Sequence, residues 1–240
     1  MMGKGTQNRL KKIANAYDLT VEEYVHDIDP MAKVPATFRN SPAVIRFLKL
    51  SQGTGGRRAI RSYLQPKKGM KFLDVGSSAD LFNYDHGRWA STYFGVDISL
   101  ALVKAMRSYA NNHGIRIGGL EVAEMTRMPF DDGFFDIAAA IGVLEYWNLA
   151  YCKRALRELH RVLRPAARVV LDMPNLAHPD APIMRKLEAY LGRPHATVNR
   201  RKFESVLLKD FSVERIDDSG AMLVYYLKNS EVVVHPTGSR

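Results

Sequence analysis

Residues 70–99 read MKFLDVGSSADLFNYDHGRWASTYFGVDIS, and this stretch decides the fold of the chain. The apolar run at residues 72–75 predicts a buried strand that ends in a turn at Gly76. A second apolar run ends at Asp97, about twenty residues later, where nucleotide-binding α/β units place an acidic residue. The tight turn allows a ligand to approach backbone N–H groups, and the Asp97 carboxylate can accept hydrogen bonds from ribose hydroxyls.

The turn after the first strand carries Asp-x-Gly rather than the G-x-G-x-x-G of nicotinamide enzymes. It resembles motif I of the class I S-adenosylmethionine (SAM) methyltransferases, whose usual pattern is Asp/Glu-x-Gly-x-Gly-x-Gly. Asp74, Gly76, Ser78 and Asp80 hold the four places of that pattern here. Two of these places depart from the pattern, since Ser78 and Asp80 replace glycine. The departure matters because glycine permits positive φ and close approach of a ligand to the backbone. Ser78 is small enough to fit, whereas the Asp80 carboxylate would repel the cofactor's carboxylate or hold its ammonium group.

A second resemblance lies in the middle of the chain. The segment MPFDDGFFDIAAAIGVLEYW, followed by ALRELHRVLRPAARVVL, resembles the small-molecule methyltransferases that include the quinone-biosynthesis enzymes, the methyltransferase domain 11 group. That group commonly shows P-F-x-D-x-x-F-D at its fourth strand and R-V-L-x-P-G-G before its fifth. Pro165-Ala166-Ala167 stands for the last three of these residues. The two resemblances together span residues 70–173.

The apolar patterns predict an α/β fold, a doubly wound seven-stranded and mostly parallel sheet with an antiparallel last strand, plus an N-terminal helical cap. We divide the chain into a cap and substrate lid at residues 1–66, a SAM-binding Rossmann-like methyltransferase domain at 67–230 and a frayed tail at 231–240. The predicted strands are residues 72–75, 93–96, 120–124, 135–141, 168–173, 211–217 and 222–228.

Helical patterns complete this prediction. In the cap, residues 8–17 and 20–28 predict two short helices, the second begun by a capping box at Thr20 and Glu23. Ser99 is the predicted N-cap of the helix that follows the second strand. Residues 174–200 predict an insert that precedes the last helix.

The net charge of +10 is concentrated in the first third of the chain. Residues 1–72 hold 14 Lys and Arg against 5 Asp and Glu, whereas the remainder holds 21 against 20. A basic cap attracts polyanions, so nucleic acid is a conceivable partner. The charges are scattered rather than clustered, however, which favours a solvated helical face and a small-molecule acceptor.

Three compositional features predict a cytoplasmic protein. The sequence has no apolar run near 18 residues, which predicts no transmembrane helix. The N-terminus has no apolar core of a secretory signal. Cys152 is the single cysteine, which excludes an internal disulfide and a thiolate metal cluster.

Ligands of open α/β sheets bind at the carboxyl ends of the strands. By resemblance, Asp97 holds the ribose hydroxyls of SAM, Glu124 accepts a hydrogen bond from the adenine amino group, and Met125 offers its backbone N–H to the ring. Gly76 and Ser77 lie beneath the methionine part of the cofactor. The predicted cofactor-binding set, with S-adenosylhomocysteine as the product, is Asp74, Gly76, Ser77, Ser78, Asp97, Ile98, Glu124, Met125 and Ile141.

Methyl transfer from a sulfonium needs mainly in-line alignment and exclusion of water. Where the acceptor is a phenol, an enol or an amine, a general base adds about 10²–10⁴-fold. Glu145 is the first candidate for contact with the acceptor, followed by Tyr146 and then by His178 of the insert. The pattern of His, Asp and Glu predicts no metal site. Weaker candidates, as bases or as residues that close over the site, are His26, His195, Tyr17, Tyr24 and Phe38.

Three alternatives stay open. The lost glycines at Ser78 and Asp80 are compatible with a methyltransferase-fold scaffold or partner subunit that no longer catalyses. The basic cap is compatible with an RNA- or ribosome-directed methyltransferase, although the N-P-P-Y tetrad of base N-methylases is missing after the fourth strand. A nicotinamide dehydrogenase would need the G-x-G-x-x-G that the first turn lacks.

Overall fold

A seven-stranded sheet forms the centre of the protein in a computed structural model that describes residues 4–51, 55–78, 80–83, 85–193 and 195–230. The strand order is β3-β2-β1-β4-β5-β7-β6, and β7 runs antiparallel to both of its neighbours while the pairs among the first five strands are parallel. This confirms the predicted fold class; the predicted tail lies outside the described residues. The strands are β1 Lys71–Val75, β2 Thr92–Asp97, β3 Gly119–Val122, β4 Phe135–Ala140, β5 Leu163–Pro174, β6 Phe211–Asp217 and β7 Met222–Asn229.

Helices cover both faces of this sheet. Alternate residues of β4 enter two separate apolar clusters: Ala138 and Ala140 pack with α1, α7 and α9, whereas Ile137 and Ala139 pack with α4 and α6. A parallel sheet covered on both faces explains why its strands read as nearly continuous apolar runs. The helices are α1 Lys4–Val25, α2 Ala36–Arg39, α3 Pro42–Ser51, α4 Gly55–Leu64, α5 Asp80–Asn83, α6 Leu100–Asn112, α7 Leu149–Val162, α8 Ala181–Tyr190 and α9 Arg200–Leu207.

The N-terminal region corrects one prediction. The two short helices predicted there are a single helix, α1, of 22 residues. Thr20 does not begin a helix, because its hydroxyl donates to the Ala16 carbonyl 2.9 Å away inside the continuous helix. Glu23 pairs instead with the Lys33 ammonium at 2.7 Å. The Thr-x-x-Glu spacing of a capping box was therefore misleading, since it also occurs in helix interiors.

Two other boundaries matter for the site. Ser99 caps α6 as predicted, with its hydroxyl accepting from the Leu102 N–H at 3.0 Å. The insert at 174–200 contains a helix, α8, which was not predicted. Among the described helices, none combines the length and the apolar character that a bilayer span requires.

Candidate cofactor and acceptor site

A cavity of about 250 Å³ opens at the carboxyl ends of β1, β2 and β4. Its floor comes from the strand ends and the turns after them, and α1 contributes Ile13 and Tyr17 to its wall. Trp147 and Tyr151, whose rings stack at 4.0 Å between centroids, form an aromatic side. The volume lies just below the 300–1,000 Å³ typical of ligand pockets, and α1 forms one side of it.

The turn after β1 is shaped by a glycine that no other residue can replace without strain. Gly76 has a φ of +70°, and a Cβ built on it would lie 2.3 Å from Cγ2 of Val143. The N–H groups of Gly76 and Ser77 both donate to the Val96 carbonyl, at 2.8 and 3.0 Å. Ser78 also has a positive φ, +39°, and so adopts the backbone conformation that a glycine would favour at this place.

Asp97 ends β2 and faces the cavity while two backbone groups fix its side chain. One carboxylate oxygen accepts from the Ser78 N–H and the other from the Ser99 N–H, both at 2.8 Å. Burial raises the pKa of Asp97 to about 6, against the lowering effect of these hydrogen bonds. The side chain is thereby held rigidly at the position where the sequence predicts contact with ribose.

Asp74 is turned away from the cavity into a buried polar cluster. Its Oδ2 lies 2.9 Å from Nδ1 of His86 and accepts a hydrogen bond from the Tyr93 hydroxyl at 2.9 Å. Asp80 joins these side chains, since Asp74, Asp80 and His86 each place a potential ligand atom within 4.8 Å of the others. This grouping was not predicted from spacing; it carries no metal assignment, because His86 and Tyr93 already occupy the inward oxygen of Asp74.

Glu145 reaches the cavity from the short 3₁₀ helix Leu144–Tyr146 that follows β4. It is buried, and its Oε2 has no hydrogen-bond partner within the described part of the chain. Burial, with the negative charge of Asp172 close by, raises the pKa of Glu145 well above its usual range. Asp172 on β5 accepts from the Gly142 N–H at 2.9 Å, and burial raises its pKa to about 7.

A series of hydrogen-bonded polar side chains connects α1 to the insert above the cavity. The Tyr17 and Tyr146 hydroxyls lie 3.0 Å apart, and the Tyr146 hydroxyl donates to Glu188 of α8 at 3.1 Å. Arg193 pairs with Glu188 at 3.1 Å and stands 4.6 Å from the centre of the Tyr17 ring. In addition, Nε of Arg9 donates to the Tyr146 carbonyl. These contacts join α1, the turn after β4 and the insert into one lid.

Residues 73–171 match the family model described as "Methyltransferase domain". This match covers less than half of the chain, so the chain is similar to a methyltransferase domain over that segment. The motifs in residues 70–173, which resemble the class I, SAM-dependent, quinone-biosynthesis type, lie in nearly the same segment. The matched segment includes the Gly76 turn, Asp97 and Glu145, and leaves α1 and the insert outside it.

Curated relatives match the same region. Demethylmenaquinone methyltransferase of Mycolicibacterium gilvum is 30% identical over 125 residues, which are 52% of this chain and 50% of that protein. Ubiquinone/menaquinone biosynthesis C-methyltransferase UbiE of Bordetella avium is 32% identical over 122 residues, 48% of this chain and 46% of that protein. The match thus spans about half the length of these relatives.

Solved structures extend the likeness of fold over most of the chain. Geranyl diphosphate C-methyltransferase from Streptomyces coelicolor A3(2), in complex with Mg²⁺, geranyl-S-thiolodiphosphate and S-adenosyl-L-homocysteine, aligns with a TM-score of 0.64 at 14% identity. The alignment covers 92% of this chain and 98% of that one. PH0226 protein from Pyrococcus horikoshii OT3 aligns with a TM-score of 0.63 at 16% identity, covering 85% and 100%. At these identities the likeness concerns the fold alone.

The fold brings most of the predicted site residues to one cavity. Those that line it are Gly76, Ser78, Asp97, Ile98, Met125, Ile141, Glu145 and Tyr146. Four predicted residues do not line it. Asp74 is engaged with His86, and Ser77 is buried. Glu124 falls in sequence between the lining residues Ala123 and Met125 but does not line the cavity itself. His178 lies in the turn before α8, where its Nδ1 accepts from the Asp180 N–H.

The weaker candidates divide in the same way. Tyr17 lines the cavity, whereas Tyr24 is 69% exposed and Phe38 packs against Tyr190. His26 is exposed at the end of α1. His195 packs edge-on against Tyr146, and burial together with neighbouring arginines lowers its pKa to about 4.

Several residues that shape the site escaped sequence reasoning. Asp172 was read only as part of the fifth strand, and Glu188 and Arg193 only as part of an insert. A signal existed for Asp172, since an acidic residue inside an apolar strand requires a buried partner. For Glu188 and Arg193 the sequence offers no signal, because their partners Tyr146 and Tyr17 lie far away along the chain.

Proposed function

We propose that the protein transfers a methyl group from SAM to a small-molecule acceptor by in-line displacement. One observation carries this proposal. The described residues of the cavity wall include three carboxylates, Asp80, Asp97 and Glu145, and no Lys, Arg or His, although the chain as a whole has a net charge of +10. An acidic wall in a basic protein favours a cationic ligand, and SAM carries a sulfonium and an ammonium group.

The residues present fit this cofactor. Asp97 is rigid and offers carboxylate oxygens to ribose hydroxyls. Glu124 has a buried Oε2 without a hydrogen-bond partner in the described part of the chain, but it does not line the cavity, so the proposal does not depend on it. The glycine turn at Gly76 leaves no Cβ between the backbone and the cavity. When bound, SAM would supply an activated methyl group and a neutral thioether as leaving group.

The residues of the cavity wall would orient the reactants and exclude water. Ile13 and Tyr17 of α1 cover the cavity and exclude water, and alignment of reactants in such an enclosure can contribute roughly 7–11 kcal/mol. The stacked rings of Trp147 and Tyr151 offer a flat apolar face to the acceptor. We assign Glu145 the role of general base, supported by its Oε2, which has no hydrogen-bond partner in the described part of the chain. This oxygen can accept a proton from an acidic acceptor group, and a nearby sulfonium would favour the ionised form of Glu145.

A small acceptor suits an enclosed cavity of about 250 Å³ better than a polymer does. The relatives point the same way, since their names concern menaquinone, ubiquinone and geranyl diphosphate. The charges of α1 support nucleic acid less well, because α1 lies across the cavity as a lid. We also propose a cytoplasmic location, where a single free thiol such as Cys152 is usual.

The first experiment is calorimetric titration of SAM and S-adenosylhomocysteine into wild type, Asp97→Ala and the control Asp217→Ala. Asp217 is an exposed acid on β6, far from the cavity in the strand order. We expect micromolar binding in wild type and control, and a loss of about 100-fold or more in Asp97→Ala, which loses a buried carboxylate acceptor. Absence of binding by wild type at millimolar ligand would refute the proposal and favour a scaffold role.

A second arm addresses Glu145. With an acceptor found by screening quinols and prenyl diphosphates for S-adenosylhomocysteine formation, Glu145→Gln should lose about 10²–10⁴-fold in turnover while binding SAM within about threefold of wild type. Equal losses of binding and turnover would show that Glu145 supports the cofactor rather than the acceptor.

A further inference from the structure

Asp80 is an acid at a place where the methyltransferase pattern has glycine. It begins α5 directly after the Gly76 turn, and its backbone N–H donates to the Ser77 carbonyl at 2.8 Å. The side chain lines the cavity and is only 8% exposed. A buried carboxylate at the face of a ligand cavity is costly unless something pairs with it.

The surroundings of Asp80 leave that pairing incomplete. Its charged neighbours are two acids, Asp74 and Asp97, and one base, Arg57. His86 also places a ring nitrogen within 4.8 Å of a carboxylate oxygen of Asp80. Burial, with the charge of Asp74, raises the pKa of Asp80 well above its usual range. A cation that enters the cavity would therefore stabilise the ionised form of Asp80.

Among the groups of SAM, one matches this position. Asp97 takes the ribose hydroxyls, and the sulfonium has no N–H or O–H to donate. The methionine ammonium has three donors and, with an α-amino pKa near 8, is mainly charged at neutral pH. The carboxylate of the same group would be repelled by three neighbouring acids.

We propose that Asp80 is an additional cofactor anchor, which binds the ammonium group of the methionine part of SAM. This rests on the proposed function. The ammonium group would donate charge-assisted hydrogen bonds to the Asp80 carboxylate, which lowers its raised pKa and favours release of a proton to the buffer. The acid at this place of motif I thus adds a contact to the cofactor instead of marking a site that has closed.

The test uses three thioether ligands that lose the charged groups of the amino acid in turn. S-adenosylhomocysteine has both amino-acid charges, decarboxylated S-adenosylhomocysteine keeps the ammonium without the carboxylate, and 5′-methylthioadenosine has neither. Each is titrated into the full chain as wild type, Asp80→Asn and Asp80→Gly, the last restoring the usual residue. We expect both variants to lose about 10–100-fold in affinity for the first two ligands and less than threefold for 5′-methylthioadenosine.

The outcomes separate this inference from the proposed function. If wild type binds none of the three ligands, the proposed function fails and this inference with it. If wild type binds all three and the variants weaken all of them equally, Asp80 only supports the turn and the inference is overturned. Unchanged affinities in both variants overturn it as well. Titration of S-adenosylhomocysteine in two buffers of different ionisation enthalpy should show proton release in wild type and less in Asp80→Asn.

Discussion

The two walls of the cavity are built in different ways. The cofactor wall, formed by the Gly76 turn, Asp97 and Met125, closes through backbone hydrogen bonds between residues near in sequence, such as Ser78 N–H to Asp97 across 19 positions. The lid wall, formed by α1, Glu145, Tyr146 and the insert, closes mainly through side chains, besides a backbone hydrogen bond from the Ala196 N–H to the Glu145 carbonyl. Its contact between Tyr17 and Tyr146 joins residues 129 positions apart.

The two walls are therefore held in place by different kinds of contact. The cofactor wall is part of the sheet, whose strand pairs fix Asp97 beside Val122 and next to the Gly76 turn. The lid wall adds hydroxyl and guanidinium contacts to the apolar packing of α1, whose Ile13 is buried in the same cluster as residues of β1 and β4. Ile13 and Tyr17 of α1 also line the cavity of about 250 Å³.

The largest effect is expected from breaking the cofactor wall with Gly76→Ala. The substitution places a Cβ 2.3 Å from Val143 Cγ2 at a φ of +70°, so it combines overpacking with left-handed strain and should cost about 2–4 kcal/mol of unfolding free energy. Urea denaturation measures it. Gly114→Ala is the matched control, because Gly114 has a φ of +63° with no atom within 4 Å of the added Cβ; it should cost about 1 kcal/mol. Equal costs would contradict the steric role of Val143.

The cofactor wall is the part that sequence reasoning predicted well. The Gly76 turn and Asp97 follow from two apolar runs and their spacing, and their partners are backbone groups that any strand in that place would offer. The same holds for the seven strands, whose number, approximate positions and antiparallel end were predicted, although their order in the sheet was not. Asp74 shows the limit even here, since its motif position is clear but its side chain turns to His86.

The lid wall could not be predicted to the same depth. Tyr17 was named as a possible lid residue, yet nothing in the sequence selects it over Tyr24, which is exposed. The choice is made by tertiary contact with Tyr146, Glu188 and Arg193. Amphipathic spacing defines the face of a helix but not its partner, so a side-chain network between distant segments leaves no local pattern.

A second prediction breaks the lid wall. The Tyr17, Tyr146 and Glu188 side chains form a hydrogen-bonded series. Tyr17→Phe removes the hydroxyl at its start, and Tyr146→Phe removes the hydroxyl in its middle. Each should cost about 1–3 kcal/mol of unfolding free energy, because buried polar partners lose a hydrogen bond. The double variant should cost less than the sum by about 0.5–2 kcal/mol, as expected of coupled neighbours. Chemical denaturation of the four proteins measures the coupling.

Its control tests whether the walls are separate. Tyr17→Phe combined with Gly76→Ala should be additive within about 0.5 kcal/mol. A coupling as large as that between Tyr17 and Tyr146 would mean that lid and turn behave as one unit, and the comparison between the walls would lose its basis.

A third prediction concerns pH and the acids beneath both walls. Folding raises the pKa of Asp97 to about 6 and that of Asp172 to about 7, chiefly by burial. A carboxyl with a raised folded-state pKa binds protons more tightly in the folded protein, so its stabilising effect is present at low pH and is lost as the pH rises. The ligand-free protein should lose about 1–3 kcal/mol of unfolding free energy between pH 4 and pH 7.

The variant Asp172→Asn isolates one contribution. Its unfolding free energy should fall less steeply over the same range, with the difference concentrated below pH 7. His195 acts with the opposite sign, because its pKa is lowered to about 4 and its neutral form is favoured by folding as the pH rises to about 6.5. Identical slopes for wild type and Asp172→Asn would show that Asp172 does not titrate in this range.

The smallest effect sharpens the comparison at the cofactor wall itself. Ser78 has a φ of +39°, a conformation that costs an L-residue about 1–2 kcal/mol and glycine almost nothing. Ser78→Gly removes this strain but gives the unfolded chain more freedom, so we expect a net gain of about 0.5 kcal/mol in unfolding free energy. Ser78→Ala keeps the Cβ and should gain nothing. If both variants lost stability equally, the serine hydroxyl rather than the backbone conformation would explain why serine occupies this position. A gain in stability confined to Ser78→Gly, with unchanged affinity for S-adenosylhomocysteine, would show that the cofactor wall tolerates its altered motif. The reason would be that the sheet and Asp97 hold the turn in the backbone conformation that glycine favours.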